Sequence, residues 1–139
     1  MIRLNKIGLS ALAVLAMASC ASTESSAGVK GYLLGQGFQE AGIIQLSAEA
    51  YIKTQEPDFK ADGLQEYLAG IKPNPDGLST QFYCWFFDNA DHASAFVTTH
   101  IAGMYYSLEG RCADPAMGSR NNAAWCGTRS LAVGMGWAM

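Results

Sequence analysis

An apolar stretch of eleven residues, Ile7 to Met17, lies behind Arg3 and Lys6 and ahead of small residues that end at Ser19. This charged, apolar and small-residue order is the layout of a secretory signal. As a helix the stretch would rise about 16 Å against a hydrocarbon core about 30 Å thick, so it is too short to span a bilayer. Residues 1–19 are therefore expected to be removed as a signal peptide. The remaining length limits the fold: residues 31–139 amount to one domain of ordinary size with a modest core.

Met17-Ala18-Ser19-Cys20 resembles the lipobox of bacterial lipoproteins. The resemblance implies cleavage before Cys20, acylation of its thiol and of the new N-terminus, and a membrane anchor there. Met17 stands where Leu is usual and has similar volume and polarity. Ala21 beside the anchor, where an Asp would retain the protein, implies sorting to the outer membrane, facing the periplasm. The resemblance covers the first fifth of the chain. Ala21 to Gly28 is too small and polar to bury, so residues 20–30 are expected to form a flexible tether. Ordinary cleavage near Ala18 or Ala21 would instead release a periplasmic or secreted protein.

Beyond Cys20 the chain carries seven Lys and Arg against twelve Asp and Glu, a net charge of −5. That balance argues against nucleic acid as a partner. Residues 101–139 reverse it locally, with Arg111, Arg120 and Arg129 against two acids. Export to an oxidising compartment favours disulfides among the cysteines. With Cys20 acylated, Cys112 and Cys126 are the preferred pair, because they bracket a Gly-, Pro-, Asn- and Ser-containing loop with little means of ordering itself. Closing it would contribute about 3 kcal/mol through lost denatured-state entropy. Cys84, within Phe82-Tyr83-Cys84-Trp85-Phe86-Phe87, is expected to be a buried apolar thiol.

Apolar residues at Leu34, Phe38, Ala41, Ile44, Ala48 and Tyr51 recur at helical steps up to Pro57, although Gly31, Gly35, Gly37 and Gly42 weaken the first half. Asp62 with Gln65 resembles a capping box ahead of a second helical stripe at Leu64, Tyr67, Leu68 and Ile71. Lys72 to Gly77, with two prolines, forces a turn. The run Phe82 to Phe87 has no readable period, and Ala93 to Leu108 carries a third helical stripe, capped by Asp88 or Asn89. Leu131 to Met139 alternates bulky and small residues and suits a strand or a packed helix. The expectation is a mainly α, three- to four-helix domain with a disulfide-closed loop and a possible C-terminal strand.

His92 and His100 are the chain's two imidazoles. Eight residues separate them by about 12 Å on a helix, too far for one zinc ion with bonds near 2 Å. Asp88 and His92, at i and i+4, could form a carboxylate–imidazole pair or the helix-start carboxylate could sit beside a solvated histidine. GxSxG and SxxK motifs are absent, and Gly35-Gln36-Gly37 with Gly42 lacks both the spacing and the preceding strand of a phosphate loop. No cofactor is implied. The residues point to a non-enzymatic envelope lipoprotein that binds a protein partner through Arg120, Trp125 and Arg129, a composition common at interface hot spots. The competing class is a small hydrolase or metal-dependent enzyme using Asp88, His92 and His100.

Overall fold

The aromatic run that has no readable period is the centre of the fold. A computed structural model describes residues 23–139; the signal segment, the lipobox and Cys20 lie outside the described residues. Strand β3 (Ser79–Phe87) is the middle of a five-stranded antiparallel sheet with the order β1-β2-β3-β5-β4. The others are β1 (Ile43–Ser47), β2 (Leu64–Pro73), β4 (Pro115–Arg120) and β5 (Ala123–Thr128). Helix α1 (Ser26–Gly35) and the short α5 (Arg129–Gly134) cover one face, over Phe82, Cys84, Phe86 and Trp125. Helices α2 (Ala48–Lys53), α3 (Ala90–Phe96) and α4 (Ala102–Leu108) cover the other, over Trp85, Phe87, Ala124 and Cys126. With both faces covered, successive side chains of β3 are apolar whichever way they point, and the alternation that marks a half-exposed strand disappears.

The architecture is α+β and corrects the mainly α expectation. Residues 64–71, read as a helix, lie in β2, which pairs with β3 from Leu64↔Phe87 to Pro73↔Ser79 with a bulge near Glu66. A strand with apolar residues on both faces also satisfies the i, i+3, i+4, i+7 template, and the hairpin turn at Asn74–Gly77 brings its partner alongside. The first expected helix divides in two. Helix α1 begins earlier, with the Ser25 hydroxyl accepting from Gly28 N–H, and places residues 26–30 of the expected tether inside the fold. Beyond Gly35 it is closed by a Schellman turn in which Gly37 has a φ of +92° and Phe38 N–H bonds to Leu33 O. The chain then supplies β1 and α2. Of the strand and the packed helix left open for the C-terminal segment, the helix is the one that forms: residues 131–134 belong to α5, and the possible C-terminal strand does not.

The disulfide is absent. Cys84, Cys112 and Cys126 are free, buried thiols. The stretch between Cys112 and Cys126 orders itself after all, as the β4–β5 hairpin, so the need for a covalent staple falls away. Cys112 Sγ lies 3.3 Å from Thr128 Oγ1, while Cys126 stands opposite Tyr83 and Met117 in the sheet. Among the described residues no helix is long and apolar enough to cross a membrane.

Candidate functional site

The third expected helix forms, capped by Asn89, whose side-chain oxygen accepts from His92 N–H at 2.8 Å. Between α3 and α4 the backbone takes a π-helical turn, Val97–Ile101, in which Ala102 N–H bonds to Val97 O. Such turns rotate the residues beyond them relative to a regular helix and recur at functional sites. Here the turn carries Thr99 and His100. The loop joining α2 to β2 crosses above this helix, and a cleft of about 220 Å³ opens between them. Its walls include Lys60, Asp62, His92, Phe96, Thr99 and His100. A second depression of about 440 Å³, reaching Glu56 and Asp58, shares Lys60 and His100 with the first.

Each imidazole in the cleft is fixed through Nδ1. Asp88 Oδ1 lies 2.6 Å from His92 Nδ1, an i, i+4 pair at the protein surface. The carboxylate has only acceptors, so Nδ1 carries the proton and donates it, leaving Nε2 as the acceptor in the neutral ring. The hydrogen bond to Asp88 raises the His92 pKa above the usual histidine value; slight desolvation opposes it, and the charges of Asp88, Asp62 and Asp91 add to it. Gly63 makes the pair possible. Its φ is +78°, its carbonyl accepts from Asp88 N–H at 2.9 Å, and a Cβ there would collide with Asp88 Oδ1 and His92 Nδ1.

His100 is held by rings and a hydroxyl. It stacks on Phe96 at 4.6 Å between centroids and meets the edge of Phe59 at 5.2 Å. Thr99 Oγ1 donates to Ala95 O at 3.0 Å and lies 2.7 Å from His100 Nδ1. With the hydroxyl proton spent on Ala95, His100 Nδ1 is the donor in that contact, and Nε2 is again the acceptor. Among the described residues neither Nε2 has a hydrogen-bond partner, and no cluster of three or more His, Cys, Asp or Glu is placed to hold a metal ion.

No family model, curated protein or solved structure matches this chain.

The residues expected to contact a partner are not gathered. Trp125 is 1 % exposed and stacks on Phe82 at 5.7 Å between centroids, inside the core beneath α1. Arg120 is exposed at the turn end of the β4–β5 hairpin, opposite Ala123. Arg129 lies at the other end, with Nε 3.7 Å from Asp114 Oδ2 and its N–H bonded to Asp114 O. The hairpin length keeps the two arginines about 17 Å apart. His92 and His100, in contrast, do line one cleft, and Asp88 reaches it through its hydrogen bond to His92. The residues missing from the sequence reading are Phe59, Lys60, Gly63 and Thr99. The turn-type dipeptide Asp62-Gly63 is the signal in the sequence for this loop, and Asp62 with Gln65 reads as a helix cap instead.

Proposed function

We propose that the protein is an exported lipoprotein of the cell envelope, anchored through Cys20 at the outer membrane and facing the periplasm, whose domain acts by binding an envelope protein. Trp125 is enclosed in the core, so the contact surface assigned to this role is the cleft beneath Phe59–Gly63, with Arg120 beside the anchor. The observation that supports binding is an accessible cleft in which the rings of Phe59 and Phe96 hold His100, while the buried thiols and the Thr99 hydroxyl are withdrawn from chemistry. Burial raises the thiols of Cys84 and Cys126, the latter to about 12, with neighbouring Cys112 adding to it, which leaves them protonated and inert at neutral pH. The Thr99 hydroxyl is committed to Ala95 O.

The test is site-specific photo-crosslinking from position 60 in intact cells. A discrete adduct to an envelope protein is expected, and it should be lost in Phe59→Ala and His100→Ala variants whose circular dichroism is unchanged. An adduct that survives both substitutions would remove the cleft from this role.

The second reading, a small hydrolase, is favoured by the Asp88–His92 contact, because a carboxylate that orients an imidazole and raises its pKa is how a general base is prepared. Ester and amide hydrolysis by purified protein, with metal content measured alongside, separates the two readings. Turnover abolished in His92→Ala would favour the enzyme; no turnover and no bound metal would end it.

A further inference from the structure

The anchor and the sheet together fix which end of the molecule meets the lipid. Glu24 is clamped to the β4–β5 turn: its N–H donates to Asn122 Oδ1 at 2.6 Å, its carbonyl accepts from Asn122 Nδ2 at 3.1 Å, and its carboxylate accepts from Asn121 Nδ2 at 2.9 Å. Asn122 is itself buried and also donates to Phe87 O at 3.2 Å, which ties the clamp to the central strand. From Cys20 to Thr23 is three residue steps, and a fully extended chain covers about 11 Å in that span. Only one end of the sheet lies within that reach. It holds Leu64 at the start of β2, Phe87 at the end of β3 and the Arg120–Ala123 turn. The opposite end, the Asn74–Gly77 turn, is a full length of β2 away, ten residues or about 33 Å.

We propose that the anchored domain stands on the membrane with the Asn121–Asn122 end against the headgroup layer, so that Arg120 faces lipid phosphate and the Asp88–His92 cleft opens at the membrane surface. The inference rests on the Cys20 anchor proposed above. Charge at this end is mixed: Glu24, Asp62, Asp88 and Asp91 are acidic, Asp88 being paired with His92, while Arg120 makes no ion pair among the described residues and offers its guanidinium to phosphate. A cleft of about 350 Å³ on this end, walled by Gln65, Asp88, Asn89, Asn121 and Asn122, is where headgroups would meet the protein. A partner using the His92 cleft is then reached along the membrane plane.

The experiment uses the acylated full chain, purified from membranes and reconstituted into phosphatidylethanolamine vesicles containing phosphatidylglycerol. A fluorophore is attached to Gln65→Cys or to Pro75→Cys, both exposed positions, and quenched by lipids carrying a headgroup nitroxide. The position 65 label should be quenched several-fold more strongly than the position 75 label. Inserting a long Gly-Ser repeat between Ser22 and Thr23 should bring the two towards equality. Equal quenching in the uninserted chain, with the acyl mass confirmed on the same sample, would overturn the orientation alone; a mass without acyl chains would overturn the anchor and the orientation together.

Discussion

His92 concentrates the local chemistry at the residue scale. Because its folded pKa is raised by Asp88, the pair contributes stability that is fully present below the unfolded histidine pKa and is lost as pH rises through the folded value. The imidazole resonance in a two-dimensional NMR titration should move at a pH above the ordinary value, and Asp88→Asn should bring it back down; an unchanged midpoint in the variant would show that the contact does not govern the ring. Gly63→Ala places a side chain at positive φ and against the Asp88–His92 pair, so chemical denaturation should reveal a loss of about 2 kcal/mol. The Asp88–His92 pair was legible from its i, i+4 spacing alone. His100 was named beside them, but about 12 Å along a helix gave the two imidazoles no reason to share a site, and it is the overlying loop with Lys60 and Asp62 that walls one cleft around both. Phe59 and Lys60 arrive through tertiary folding of a loop, which no local pattern encodes.

At the scale of elements, the covered sheet explains both what was legible and what was not. Helix α3 with its Asn89 cap could be read because one of its faces meets water and the apolar stripe stands out against polar neighbours. Strand β3 could not, because burial on two faces replaces alternation with near-continuous apolarity, and β2 could not, because the adjacent polar Gln65 and Glu66 at its bulge break the alternation and leave Leu64, Tyr67, Leu68 and Ile71 on a helical stripe. The β4–β5 hairpin was misjudged for a related reason: its turn residues and glycines suggested a loop in need of a disulfide, whereas cross-strand pairing supplies the order. Trp125→Ala tests this placement. A fully buried indole stacked on Phe82 should cost about 3–5 kcal/mol when removed, measured by urea unfolding, whereas a Trp125 exposed for contact with a partner would cost almost nothing. Asn122→Ala should cost about 1–3 kcal/mol, because Phe87 O and the Glu24 backbone lose a buried donor and acceptor.

For the whole molecule, the proposed anchor at Cys20 would lie three residue steps from Thr23, next to the Glu24 clamp, and Cys84, Cys112 and Cys126 are enclosed without being joined. Export, anchoring and thiol state are therefore read together by the intact mass of the membrane-fraction protein, alkylated after denaturation without reductant. The expected species is a polypeptide beginning at Cys20, heavier by its acyl chains and by three alkyl groups on Cys84, Cys112 and Cys126. A full-length product without acyl chains, or a processed one that takes up a single alkyl group because two thiols are joined, would contradict it.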